Sequence, residues 1–259
     1  MRTHERVLAE IEQHLRDGTW ALGERLPPER TLAEQMGVGR SSIREAVRVL
    51  EAMGIVRTAV GSGPESGATI VDRPAAALGT AVRMHIASGT LPVADVVATR
   101  AALETWATGH AARCVGNLTT DKAAASPVHT SVSAHTGVSA HTGVALAEAH
   151  EILDQMEAQQ LSPQEFVTAD AAFHQAIVQL AGNQLVEALI SGLRSPVSDY
   201  ITQGAQQLAS WPETLQRLYL EHRAIYEAVR SGQAATAERL AGEHIWGFVA
   251  EAGLVAPEA

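Results

Sequence analysis

Four side chains in the second half of this 259-residue chain have the types and spacing to hold a cation. In FVTADAAFHQAIVQLAGN, Asp170 and His174 stand four residues apart, which on a helix brings a carboxylate and an imidazole to one face. Phe166, Phe173 and Ile177 recur at neighbouring helical spacings and set that pair on or beside an apolar stripe. LYLEHRAIYEAVRSG carries His222 with Ile225 and Val229, and AATAERLAGEHIWGFV carries His244 with Leu240, Ile245 and Phe248. Read singly, an Asp/His pair at this spacing is an ion pair, and a lone histidine on an apolar face is a core residue. Read together, four polar groups in one helical core are costly unless they share a partner, and a divalent metal ion supplies one. Three imidazoles and one carboxylate leave coordination positions open; zinc is the first choice, and nickel, manganese and iron tolerate the same donors. A metal-dependent hydrolase could use such an Asp/His3 site to activate water, but it would want a general base placed as clearly as in H-E-x-x-H, and none stands out.

A second histidine series carries less. VSAHTG occurs twice in tandem at 132–137 and 138–143, so that His129, His135 and His141 recur every six residues. Six is a poor spacing for one helical face, no acidic residue is interleaved past Asp121, and a duplicated hexapeptide needs no function to explain it.

The elements that must position the four candidate ligands are helical throughout. Residues 74–259 show Ala/Leu-rich segments of helical period, broken at SGTLP, AGN, GLRSP, ASWP and RSGQ, and almost no strand pattern. The stretch 116–145 is rich in Ser, Thr, Ala and His, offers little to bury, and reads as a flexible surface insert.

Residues 1–73 have a different texture. Val7, Leu8, Ile11 and Leu15 share one helical face; TLAEQM follows two prolines and ends at Gly37; RSSIREAVRVLEAMG repeats the period with Ile43, Val47, Leu50 and Met53. IVRTAV and ATIV are β-branched runs flanking the loop GSGPESG, which reads as a hairpin. Three helices with a tight second turn, closed by a hairpin, make a winged helix-turn-helix. Arg40, Arg44 and Arg48 stand against Glu45 on the second helix of the pair, and Ser41 and Ser42 stand at its start, where hydroxyls and backbone N–H groups hold phosphates. Arginine at the forward end of that helix reaches guanine edges in a major groove.

The charge distribution agrees. The chain carries a net charge of -10, but residues 1–73 hold 10 Arg against 11 acidic residues while residues 74–259 hold 9 basic against 18 acidic, that is -1 and -9. With 46% apolar and 19% charged residues the chain can bury a sizeable core, and its length suits two domains, 1–73 and 74–259. One cysteine, Cys114, excludes an internal disulfide framework and fits a reducing compartment. The charged, amphipathic N-terminal segment and the lack of any bilayer-length apolar run predict a cytoplasmic protein without a membrane partner.

LPPERTLAEQMGVGRSSIREAVRVLEAMGIV resembles the DNA-binding signature of GntR-family bacterial regulators, over essentially all of residues 5–73. The resemblance implies DNA contacts at Arg30, Arg40, Ser41, Arg44 and Gly61 to Gly63. Gly39 departs from it, standing where the family places a Ser or Thr helix cap. D-x-x-F-H, then E-H-x-x-I, then a further His are similar to the FCD ligand-binding domain of the FadR-like subfamily. That likeness implies a bundle of six to seven helices in which Asp170, His174, His222 and His244 hold a divalent ion. Two departures lie nearby: Ala98 replaces a Glu ahead of Arg100 and Glu104, and Gly232-Gln233 replaces Gly-Asp.

The chain therefore reads as a mainly α protein, a winged helix-turn-helix followed by an all-α bundle. The function that follows is a homodimeric DNA-binding transcriptional regulator, with repression the expected sign. A small carboxylate effector would complete the metal shell against Arg100. The rivals are the hydrolase and an adaptor that only dimerises; the adaptor leaves the polar quartet unexplained.

Overall fold

A computed structural model of the chain describes residues 3–59, 67–72, 74–124, 135–158 and 160–254. The described residues form ten helices and one two-stranded sheet. Contacts divide the chain into Met1–Ala81 and Val82–Ala259.

In the first unit, α1 (Thr3–Arg16), α2 (Glu29–Met36) and α3 (Arg40–Ala52) surround one small core. Val7 and Ile11 of α1, Leu32 and Met36 of α2 and Ile43, Val47 and Leu50 of α3 are buried there, at the spacings of single helical faces. Met53, read as the last member of the α3 stripe, is instead exposed, because it caps the helix after the final packed turn. The turn between α2 and α3 is short because Gly37 takes a left-handed conformation, with φ 62°, that stops α2. Strands β1 (Val56–Ala59) and β2 (Gly67–Ile70) pair antiparallel, with Val56 opposite Ile70 as the buried pair. Leu26 N–H donates to Ala68 O at 2.8 Å and Arg25 bridges to Thr69, so the chain ahead of α2 lies along the hairpin.

Helix α4 (Pro74–Ala87) is followed by α5 (Val93–Ala124), the longest helix of the second unit, which packs against α7 (Pro163–Gln179), α8 (Gln184–Gln206), α9 (Trp211–Arg230) and α10 (Ala234–Glu251). Helix α6 (His135–Ala158) covers α7 and α9. The largest buried side chains of this unit include Phe173, Ile177, Leu153, Leu218 and Ile225. Two sequence expectations are corrected here. Most of the stretch 116–145 is not a loop: α5 runs on to Ala124 and α6 starts at His135, since a helix already nucleated by packed turns extends cheaply through Ala-rich sequence. Residues 125–134, with His129, lie outside the described residues. Nor does GLRSP break the chain: Pro196 is buried inside α8, where packing of Ile190, Leu193 and Val197 outweighs the one helical hydrogen bond that proline removes.

Helix α7, which carries two of the candidate ligands, has a well-defined start. Ser162 and Glu165 form a reciprocal capping box, with Ser162 N–H donating to Glu165 Oε2 at 2.9 Å, and Pro163 occupies the first turn. Trp211 Nε1 donates to Leu161 O at 2.7 Å and ties the approach of α7 to the start of α9.

The turn from α9 to α10 lies directly on α5. Gly232 has φ 70°, and a Cβ there would sit 2.8 Å from Gly116 Cα. Gly232→Ala is expected to cost about 2 kcal/mol or more, from left-handed strain plus overlap with backbone that cannot swing aside. Chemical denaturation of parent and variant checks this, and an unchanged midpoint would refute the close approach.

Candidate metal centre and DNA-contacting surface

Helical period places Asp170 and His174 one turn apart on α7; His222 sits midway along α9 and His244 in the second half of α10. The fold brings all four together, each offering one ligand atom, with these atoms within 4.8 Å of one another. The three Nε2 atoms converge on one carboxylate oxygen: Asp170 Oδ1 lies 3.1 Å from His222, 3.5 Å from His174 and 3.8 Å from His244. The imidazoles pack against one another: His174 and His244 are stacked, and the tilted rings of His222 and His244 have centroids 4.3 Å apart. All three histidines are buried, and Phe166 and Phe173 pack on His222.

Electrostatics act on the cluster unevenly: burial lowers His244, but Asp170 and Glu221 overcome it and raise that imidazole above its ordinary value. Burial, reinforced by the charge of His244, pushes His222 down to about 3. Burial alone would raise Asp170, but the imidazoles that face it, His174 first, hold it well below the usual carboxylate range. Neither ring nitrogen of His222 has a hydrogen-bond partner, although Nε2 lies 3.1 Å from Asp170 Oδ1. A wholly buried imidazole with two unmet nitrogens is expensive, and a cation at the convergence point is the partner its lone pair lacks. The residues therefore fit a divalent metal: three nitrogens and one oxygen are an ordinary donor set for zinc and its neighbours.

Carboxylates and arginines back the cluster. Glu221 Oε2 is 2.8 Å from His244 Nδ1, and Glu104 Oε2 is 3.5 Å from His174 Nδ1. Arg100 Nε donates to Glu104 Oε1 at 2.6 Å with both groups buried. Burial opposes ionisation of Glu104, and the Arg100, His174 and Arg194 charges overcome it. Arg194 Nη1 donates to Ala171 O, while its buried Nη2 has no hydrogen bond and stands 3.9 Å from Glu104 Oε1. A cavity of about 320 Å³ lined by Arg100, Thr168, Asp170, Arg194, Ser195 and Ser198 leads to the carboxylate of the cluster. Arg100, named from sequence, is thus present but tied to Glu104. Arg194 and Glu221 were missed: Arg194 carries no signal in GLRSP, whereas Glu221 stands beside His222 in E-H-x-x-I.

In the first unit, Arg40 opens α3 and Ser41 is exposed beside it, with Ser42 half-buried. Arg44 donates to both oxygens of Glu29, at 3.2 and 2.9 Å, and Arg40 stands 3.9 Å from the same carboxylate. That pairing lowers Glu29, with the hydrogen bond from Arg44 the largest cause. Arg30 is exposed on the first turn of α2, 3.8 Å from Glu34. No side chain caps α3, in keeping with glycine at position 39. Gly61 and Gly63 lie outside the described residues.

A winged helix-turn-helix and a separate helical bundle with a buried Asp/His cluster define a class, the two-domain transcriptional regulators. Comparison with known proteins gives the family. Residues 3–64 match the model for bacterial regulatory proteins of the gntR family, and residues 131–246 match the FCD domain. The chain is 28% identical over 242 residues to the Glc operon transcriptional activator of Escherichia coli K12, spanning 92% of this chain and 85% of that protein. It is 26% identical over 232 residues to the HTH-type transcriptional regulator LutR of Bacillus subtilis, spanning 89% and 92%. A Streptococcus agalactiae GntR structure shares the fold, with a TM-score of 0.61 at 20% identity over 94% of this chain and 98% of that one. The chain carries a GntR-family DNA-binding domain and an FCD domain and is homologous to GntR-family transcriptional regulators. Its domains and relatives are those of regulators, not enzymes. Among the described residues no helix is long and apolar enough to cross a membrane.

Elemental analysis of untagged protein dialysed against a weak chelator is expected to find close to one divalent metal per chain. The His174→Ala, His222→Ala double variant is expected to hold none. Metal-free parent protein would refute the centre.

Proposed function

We propose that the helical unit is a metal-dependent sensor that controls operator binding by the winged helix-turn-helix of a homodimer. The observation that carries this reading is the convergence of Asp170, His174, His222 and His244 around a buried imidazole with no hydrogen bond of its own. Zinc is the metal we assign first, with nickel, manganese or iron as alternatives. The ion supplies a positive charge with open coordination positions, and these four side chains would hold it.

A small organic acid is the effector that fits. The cavity leading to Asp170 presents Arg100 and Arg194 together with the hydroxyls of Thr168, Ser195 and Ser198, so its walls suit a carboxylate carrying further oxygens. Arg100 takes part only by loosening its 2.6 Å contact with Glu104, so an anion and Glu104 compete for one guanidinium. Such a binder changes the equilibrium between two states by its differential affinity for them. On the DNA side, Arg40, Ser41, Ser42 and Arg44 of α3, Arg30 of α2 and Gly61 and Gly63 are the contacts we assign, with Arg44 leaving Glu29 to do so. Repression released by effector is the sign we assign; the Glc operon relative is named as an activator, and a reporter fusion separates the two.

The test uses metal-loaded protein and a duplex selected from random DNA. Binding is expected to weaken when a small hydroxycarboxylate is titrated in, and chelation is expected to abolish that response. Arg44→Ala is expected to lower affinity roughly tenfold to a hundredfold for the selected sequence. Unchanged affinity in that variant would remove α3 from the interface. Insensitivity to every carboxylate would remove the effector reading.

A further inference from the structure

Of the three imidazoles, His244 has its outer nitrogen within hydrogen-bond distance of a carboxylate, and that carboxylate is itself held in place. Glu221 Oε2 lies 2.8 Å from His244 Nδ1. A carboxylate only accepts, so Nδ1 carries the proton, and Nε2 is left with its lone pair facing Asp170 Oδ1. Arg217 Nη1 donates to Glu221 Oε1 at 2.5 Å, Arg217 Nη2 donates to Glu251 Oε2, and Thr214 Oγ1 donates to Glu251 Oε1 at 2.8 Å. A chain of alternating donors and acceptors thus runs from the cluster along α9 to the end of α10. By contrast His222 has no partner on either nitrogen, and Glu104 approaches His174 only to 3.5 Å.

We propose that Glu221 is a positioning residue that sets the tautomer and orientation of His244 for metal binding, with Arg217 as its anchor. The inference rests on the metal reading above and adds a residue outside the four ligands. Holding the ring against rotation removes an ordering cost from metal capture, and the adjacent negative charge makes Nε2 a stronger donor. Glu221 touches no ligand position itself; it acts through His244. It is also only part-buried, at the lip of a groove between α9 and α10, so its replacement leaves the apolar core intact.

The test is zinc affinity of the untagged full chain, read by competition with a chromophoric chelator, for parent, Glu221→Ala, Glu221→Gln and Arg217→Ala. Glu221→Ala is expected to weaken zinc binding about 10- to 100-fold. Glu221→Gln keeps an acceptor without the charge and is expected to fall between parent and Ala, and Arg217→Ala is expected to shift in the same direction by less. The cobalt(II) absorption spectrum of Glu221→Ala is expected to change, while the thermal midpoint of the metal-free variant stays close to that of the parent. A merely structural role would lower that midpoint and leave affinity and spectrum alone, which overturns the proposal. Should Glu221→Ala not fold, equal affinities for parent, Glu221→Gln and Arg217→Ala overturn it as well. Parent protein that binds no zinc or cobalt overturns the metal reading and this inference together, whereas tight binding by parent and all three variants overturns this inference alone.

Discussion

The helical unit is organised around a single carboxylate oxygen. Asp170 Oδ1 faces three imidazole nitrogens from three helices, and all three rings are buried. Polar groups withdrawn from water in this way cost free energy unless each finds a partner, and the partners available here are one another and the carboxylates behind them. That constraint explains why α7, α9 and α10 must keep their registers: a one-residue rotation of any of them would turn its ligand by about 100° away from the others.

Helix α5 carries the countercharge. Glu104 is fully buried, and it is tolerated because Arg100, Arg194 and His174 surround it. Arg194, largely buried, is pushed down by that burial, which the charge of Glu104 beside it opposes. Glu104 therefore stands between two features with separate roles, the arginines that line the cavity and the histidine that faces the cluster. Whatever pulls on the arginines acts on His174 through one shared carboxylate, a short physical route between the proposed effector and the proposed metal.

The first unit shows the same economy at its surface. Arg44 of α3 lays its guanidinium across Glu29. An exposed ion pair of this kind is weak, so exchanging it for a phosphate or a base costs little.

Helical and strand periods were readable because they depend only on which residues recur at which spacing. The stripe Ile43, Val47, Leu50, the hairpin runs around 56–59 and 67–70, and the Asp170/His174 pair are local patterns, and they stand where those spacings put them. Local pattern misled at 116–145 and at Pro196, where helix propagation and packing against neighbours outweighed composition. The types of the candidate ligands, the helical faces that carry them and the winged helix-turn-helix were legible in the residues alone. That Glu221 reaches His244 on another helix, that Arg100 is held by Glu104, and that Arg194 turns toward the same site emerged with the packed helices. Those contacts join residues far apart in the chain, and their geometry follows from how helices cross, which no spacing along a single helix encodes.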